Sequence, residues 1–298
     1  MEKSKGIVVS GYGGFYQVRL TGGHTVDCKP RGRLKKEFSK IYVGDRVEIE
    51  LLTDGTVMIE SIGPRTSCLS RPNVVNIDRL LIVLAWAMPE YDLLLLDRML
   101  VIAQKAGIKP LVCFNKIDLL KDEDMKRLVK IKTVYEQAGF PFFTLSAIND
   151  QGICELRAHL ARGISVMAGQ SGVGKSSLLN RLLPEENAQV GEVSDRLRQG
   201  KHTTRYTRIL PLPCEEGYIT DTPGFSIIDL PGDFTAGELP MYYPDFHLKN
   251  ACRFDGCLHD KEPDCAIKEA VESGKIDQQR YQRYLRLLAE IQEKEVRY

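Results

Sequence analysis

The sequence predicts three units in a row: a small N-terminal β-barrel, a central α/β domain built on a parallel sheet, and a small helical C-terminal unit stapled by a cysteine–histidine cluster. Three observations predict this. Short strands with glycine turns fill the first part of the chain, continuous apolar strands then alternate with amphipathic helices, and three cysteines and a histidine crowd the segment "CRFDGCLHDKEPDC".

Residues 1–72 read as the barrel. "GIVVSGYGGFYQVRL" looks like a strand with a glycine kink, and "HTVDCKPRGRL" a second. In "GDRVEIELL", Val47, Ile49 and Leu51 alternate with Arg46, Glu48 and Glu50, and "TVMIESI" closes the set. Short strands at this spacing fit a barrel of the OB-fold type.

From "RPNVVNIDRLLIVLAW" the texture changes, and residues 73–230 alternate strand and helix. The strands lie in "LLIVLA", "KPLVCFNK", "PFFTLSA" and "GISVMAGQ"; the helices lie in "YDLLLLDRMLVIAQKAG", "KDEDMKRLVKIKTVYEQAG", "GICELRAHLA" and "GKSSLLNRLL". Strands apolar on both sides mean a parallel sheet covered on both faces. Residues 231–298 open with the proline-rich stretch "PGDFTAGELPMYYPDF" and end in a helix where Tyr281, Tyr284, Leu288 and Ile291 recur at helical spacing.

Composition bounds the function classes. With 41 basic and 40 acidic side chains the net charge is +1, so the chain as a whole makes no statement about nucleic acid. No apolar run approaches the roughly 18–20 residues that span a bilayer, and the N-terminus has no signal-like apolar core, so a cytoplasmic protein without membrane attachment is expected. The eight cysteines then read as thiols or metal ligands rather than disulfides. Cys28, Cys68, Cys113, Cys154 and Cys214 are expected as core thiols, and His24, His159 and His247 as surface or packing residues.

The chemistry begins at "GQSGVGKSS", a phosphate-loop signature over Gly169, Gln170, Ser171, Gly172, Val173, Gly174, Lys175, Ser176 and Ser177. It follows an apolar strand and opens a helix, the context the motif needs. Its glycines let backbone N–H groups converge on phosphate oxygens at a helix N-terminus. Lys175 reaches the β- and γ-phosphates, and the Ser176 hydroxyl ligates Mg²⁺.

Asn115-Lys116-Ile117-Asp118 sits at the C-terminal end of another apolar strand, the edge where open α/β sheets bind ligands. A carboxylate there accepts both N1–H and the exocyclic amine of guanine, so Asp118 selects GTP over ATP. Ser146 and Ala147, one strand later, stand where backbone support for guanine O6 belongs. Asp221 and Gly224 in "DTPGF" supply the Mg²⁺-side carboxylate and the γ-phosphate sensor, and in "GKHTTR" Thr203 or Thr204, with Thr204 preferred, closes over Mg²⁺. These five elements form a GTPase read in rotated order. A parallel sheet tolerates such rotation when the old termini lie close and the new cut falls in a loop. Residues 73–230 are therefore expected to be a circularly permuted GTP-binding domain.

The order NKID, SA, GQSGVGKSS, GKHTTR, DTPGF, with a β domain before it and a cysteine cluster after it, resembles the ribosome small-subunit-dependent GTPases, the permuted family called RsgA or YjeQ. The resemblance covers essentially the whole chain. It implies an OB-fold N-terminal domain and a zinc-binding C-terminal domain. It also implies GTP hydrolysis stimulated by the small (30S) ribosomal subunit and a role in late maturation of that subunit.

Cys252, Cys257, His259 and Cys265 form a closed set of three sulfurs and one nitrogen, the pattern of one structural Zn²⁺. Where many GTPases carry a water-orienting glutamine, this chain has Phe225. Slow intrinsic hydrolysis is expected, with His202 the candidate orienting group, set against a solvated loop histidine, and Arg205 a weaker alternative for charge stabilisation. In "KPRGRLKKEFSK", Lys29, Arg31, Arg33, Lys35 and Lys36 are candidate contacts to the rRNA backbone, set against a solvated charged loop. The leading reading is a ribosome-stimulated GTPase that works as a monomer. The alternative is a nucleotide-gated RNA- or ribosome-binding module with incidental hydrolysis.

Overall fold

The structure, a computed structural model, describes residues 3–32, 34, 40–69, 73–183, 207–213, 216–220, 230–248 and 252–297. Five strands make a closed barrel in the order β1-β2-β3-β5-β4: β1 (Lys3–Tyr12), β2 (Phe15–Leu20), β3 (Thr25–Pro30), β4 (Arg46–Leu51) and β5 (Val57–Ile62). β1 pairs with both β2 and β4, which closes the cylinder and removes free sheet edges. Val8, Val18, Cys28, Val47, Ile49 and Ile59 fill its interior. The stretch expected as one kinked strand is instead a hairpin. Gly13 and Gly14 both take positive φ, +58° and +85°, the backbone of a two-residue hairpin turn. Leu51 also departs from its expected face: it ends β4 and is exposed.

A short hairpin, β6 (Cys68–Leu69) with β7 (Val74–Val75), leads into the second unit. There a six-stranded sheet runs β10-β9-β8-β11-β13-β12. Its strands are β8 (Ile77–Ala85), β9 (Lys109–Asn115), β10 (Phe142–Thr144), β11 (Arg162–Ala168), β12 (Ile209–Pro211) and β13 (Glu216–Thr220). All neighbours are parallel except β12 on β13 at the edge. The helices are α1 (Leu93–Lys105), α2 (Met125–Gln137), α3 (Ile153–His159) and α4 (Lys175–Leu182). Alternate residues of β8 enter two separate cores. Leu80, Ile82 and Leu84 pack with residues of α1 and α2, whereas Leu81, Val83 and Ala85 pack with residues of α3 and α4. Burial on both faces is why the strand is apolar at every position from Leu80 to Ala85.

The C-terminal unit holds 3₁₀ turns at Ala236–Tyr242 and Pro244–Phe246, then α5 (Ala266–Glu272) and α6 (Gln278–Arg297). Tyr281, Tyr284, Leu288 and Ile291 are all buried, as their spacing predicts, against Leu239, Tyr243 and Phe246. α1 joins this core too, through Val101 and Ile102, while Leu96, Met99 and Leu100 face the sheet. Its run of leucines therefore serves two units at once. No described helix is long and apolar enough to cross a membrane.

Barrel and sheet are joined tightly. Asn76 Nδ2 donates to Gly44 O (2.9 Å), Asn76 Oδ1 accepts from Thr66 N (2.9 Å), and Val75 N donates to Val43 O (3.0 Å). Next to them the buried Asp45 carboxylate accepts from Arg65 Nε (2.8 Å) and Tyr42 N (2.7 Å). Gly44 lies at φ +92°, where a Cβ would stand 2.1 Å from Val75 O. Gly44→Ala therefore adds a backbone clash to an unfavourable φ, and is expected to cost about 2 kcal/mol or more, read as a lowered melting temperature.

Candidate nucleotide site and metal cluster

The loop between β11 and α4 turns because its glycines allow it. Gly169, at φ +145°, approaches β8 so closely that a Cβ would meet Val83 O at 2.1 Å. Gly174, at φ +93°, leaves room for a side chain from another loop: its Cβ would meet Asn115 Nδ2 at 2.4 Å. Val173 is buried and anchors the loop in the core, while Ser171, Gly172, Ser176 and Ser177 lie exposed along it. Lys175 bends back across the loop, its Nζ donating to Gly169 O (2.8 Å) and Gln170 O (2.7 Å). Partial burial lowers its ammonium pKa.

At the end of β9 the buried Asn115 holds two other loops. Its Nδ2 donates to Val173 O in the phosphate loop (3.0 Å), and its Oδ1 accepts from Ala147 N (3.2 Å). Lys116 takes a left-handed conformation, φ +61°, and donates from Nζ to Met88 O. Ile117 N donates to Leu145 O (3.2 Å) and its side chain packs on the core. Asp118 is exposed on the same sheet edge, oriented by Ser146 Oγ donating to its Oδ1 (2.6 Å). The structure thus brings together every predicted residue of the NKID, SA and phosphate loops. Strand register explains it: Ala85 pairs with Asn115 and Phe114 with Thr144, so β8, β9 and β10 end together, while β11 ends beside Ile82 and Gly169 continues along β8 against Val83.

Two contacts here carry no sequence pattern. Arg181, on α4, donates from Nε to Ala147 O (3.0 Å) and pairs with Asp150 (3.3 Å), tying the phosphate-loop helix to the base-support loop. The Met88–Pro89 turn receives Lys116 and lies beside Gly172. Arg181 is one helical turn beyond Ser177, which was the only available signal.

Thr204, His202, Arg205, Asp221, Gly224 and Phe225 lie outside the described residues, as do Arg33, Lys35, Lys36 and Cys214. Of the remaining basic candidates, Lys29 is exposed, with its ammonium 4.8 Å from the Phe15 ring centroid. Arg31 is a correction. Its guanidinium pairs with Glu50 and, at 2.7 Å, with Glu60, so it braces the barrel between two carboxylates instead of standing free for phosphate. The thiol expectation also needs correcting: Cys28 and Cys113 are buried, but Cys68 and Cys154 are exposed because each sits at the margin of its element. His24, His159 and His247 are at the surface, His159 edge-on to Phe143 (4.8 Å).

Cys252, Cys257, His259 and Cys265 converge, with their ligand atoms within 4.8 Å of one another. Cys265 Sγ lies 3.9 Å from the sulfurs of both Cys252 and Cys257, and His259 Nδ1 lies 3.6 and 3.4 Å from Cys252 and Cys265. A tetrahedral ion with metal–sulfur bonds of about 2.3 Å needs sulfur–sulfur edges of about 3.8 Å, so the set fits a four-coordinate metal. The surroundings fix the ligands. Tyr281 and Tyr284 donate to the carbonyls of His259 and Leu258 (2.6 Å each), and Glu262 accepts from Leu258 N (2.8 Å) and Asp260 N (3.0 Å).

Comparison with known proteins agrees over the full length. The family models described as RsgA N-terminal domain and RsgA GTPase match residues 5–59 and 62–231. The small ribosomal subunit biogenesis GTPase RsgA of Caldanaerobacter subterraneus subsp. tengcongensis is 42% identical over 298 residues, covering 100% of this chain and 99% of that protein. The protein of the same name from Shouchella clausii is 43% identical over 297 residues, 99% of each. Among solved structures, YjeQ from Thermotoga maritima superposes with a TM-score of 0.85 at 34% identity, covering 97% of this chain and 99% of that one. YloQ, described as a circularly permuted GTPase, gives 0.83 at 30% identity, covering 98% and 96%.

A metal held by this cluster would crosslink the C-terminal unit, and its removal would loosen that unit selectively. Cys265→Ser is expected to lower bound metal from about one per chain, measured by atomic emission. It should also speed limited proteolysis between residues 252 and 265 while leaving the barrel intact.

Proposed function

The chain belongs to the RsgA GTPase family, and from that premise we propose that it binds the small ribosomal subunit, hydrolyses GTP to GDP and phosphate when stimulated by it, and assists late maturation of that subunit. Its relatives carry the name small ribosomal subunit biogenesis GTPase at 42–43% identity over nearly their whole length, which supports the ribosomal part of the reading. One observation carries the nucleotide part: Asn115 hydrogen-bonds the phosphate loop and the Ala147 loop at once, setting a guanine-reading carboxylate and a phosphate cradle on one edge.

In this reading Asp118 accepts from guanine N1–H and the exocyclic amine, held in aim by Ser146. The Ala147 backbone faces O6, and the Lys116 stem lies along the base. The backbone N–H groups of Gly172, Val173 and Gly174 point at phosphate oxygens at the start of α4. Lys175 exchanges its two carbonyl partners for the β- and γ-phosphates, a short move for a side chain already lying over the loop. Ser176, with Thr204 and Asp221, is the set to hold Mg²⁺, whose charge offsets that of the phosphates. His202 orients water, and Gly224 senses the γ-phosphate.

Cys252, Cys257, His259 and Cys265 hold one Zn²⁺ as a closed structural crosslink. The barrel, residues 1–72, meets rRNA through Lys29 and the basic loop beyond it. Residues 73–230 are the permuted nucleotide domain and residues 231–298 the zinc unit. A single copy contains the whole nucleotide edge, so the working form is a monomer in the cytoplasm.

Phosphate release tests the reading. Addition of purified small subunits is expected to raise turnover by about three orders of magnitude over the slow intrinsic rate, in the range by which completed sites accelerate other GTPases. No stimulation would instead favour a nucleotide-gated binding module, the reading that Phe225 supports. Asp118→Ala is expected to weaken GTP binding by at least about tenfold, without a matching loss for ATP.

A further inference from the structure

A buried ion cluster joins the C-terminal unit to the α/β domain, and neither the nucleotide motifs nor the metal ligands require it. Asp97, on α1, has no exposed side-chain surface. It accepts from Arg280 Nη1 and Arg283 Nε on α6 and from the Tyr135 hydroxyl on α2 (2.9 Å). Arg280, 1% exposed, also forks onto Asp245 through Nε (2.8 Å) and Nη2 (3.1 Å). Its guanidinium lies over the rings of Tyr243 (4.7 Å) and Tyr135 (5.2 Å). Two carboxylates thus meet two guanidiniums out of water. Apolar residues of similar volume would stabilise such an interface as well, so what the ions add is a demanding geometry.

That geometry continues to the base loop through close-packed rings. Tyr135 stacks on Phe142 of β10 (6.4 Å), Phe142 stacks on Phe114 of β9 (5.2 Å), and Phe114 meets Tyr91 edge-on (5.3 Å). Phe114 precedes Asn115, whose carbonyl accepts from Trp86 N (3.0 Å). Tyr135, Phe142, Phe114 and Asn115 are all buried, and an interior at this density passes on a displacement instead of absorbing it. α2 itself follows Asp118 after a few residues, through the turn Ile117–Leu119.

We propose that Asp97, Tyr135 and Arg280 are positioning residues for the guanine loop. Docking of the C-terminal unit on α1 and α2 sets the placement of Asn115 and Asp118, and retention of a guanine nucleotide depends on that docking. The proposal rests on the guanine-nucleotide reading above.

Release of methylanthraniloyl-GDP from the full-length, metal-loaded protein tests it by stopped flow. Arg280→Lys keeps the charge and loses the fork. It is expected to speed release about tenfold, and Tyr135→Phe, which removes one hydroxyl, about threefold, within the range of measured site-to-site couplings. If Arg280→Lys does not fold, Tyr135→Phe carries the test alone. Combination with Asp118→Ala separates positioning from a general loosening. Action through the base loop predicts that either change adds less than about twofold in that background, whereas loosening multiplies release by the same factor in both. Unchanged release in the single variants, or equal factors in the two backgrounds, overturns the proposal. Wild-type protein that bound no methylanthraniloyl-GDP would overturn the guanine assignment and this proposal with it.

Discussion

Asn115 is a small side chain on which the nucleotide edge depends. Its amide must donate to one loop and accept from another, and both bonds are buried at the end of a strand that is itself buried. Loss of either partner would strand a polar group out of water, a cost that recurs in every conformation without the contact. Gly174 is glycine because the Asn115 amide occupies the space of its Cβ. Ala147 is reached through its backbone, so the identity of its side chain matters less than its place after β10. The phosphate loop, base loop and base-support loop therefore form one object with this carboxamide at its centre, braced by Arg181 and by the Ser146–Asp118 hydrogen bond.

Such a hub makes the rotated motif order physically unremarkable. The contacts at the edge run between strand ends, and strand ends are set by sheet register, not by the direction in which the chain enters the sheet. Cutting and rejoining a domain at its surface leaves β8, β9, β10 and β11 as neighbours. What rotation changes is where the chain goes afterwards. β13 and the residues beyond it lead to the unit with the cysteine–histidine cluster, and the barrel occupies the opposite end of the chain.

Much of this could be read from the amino acids, for reasons that differ by element. The parallel sheet was legible because strands covered on both faces are apolar in an unbroken run, and the phosphate loop because two glycines, a lysine and a serine must stand at fixed offsets. The convergence of Cys252, Cys257, His259 and Cys265 was legible because few other arrangements explain such a density of cysteine. The hairpin at Gly13–Gly14 was misread, since a glycine pair marks a bend without saying whether the chain continues or reverses. Arg31 was misread for a related reason: a basic run reports charge, but its acidic partners, Glu50 and Glu60, arrive from β4 and β5. Asp97 and Arg280 were invisible. Each resembles the other charged positions of its helix, and only the fold brings the two to one point across 183 residues of chain.

Asp97 also bears on what counts as a part. Its carboxylate and the apolar Val101 and Ile102 lie on a helix of the nucleotide domain, yet their partners come from beyond residue 230. A fragment ending at the last nucleotide motif would expose the apolar Val101 and Ile102 on that helix face and leave Asp97 without its cations. A fragment beginning after it would leave Arg283 without its carboxylate and Arg280 with Asp245 alone. The boundary drawn by motif and the boundary drawn by cohesion do not coincide, so the smallest piece that can inherit this nucleotide site extends to the end of α6.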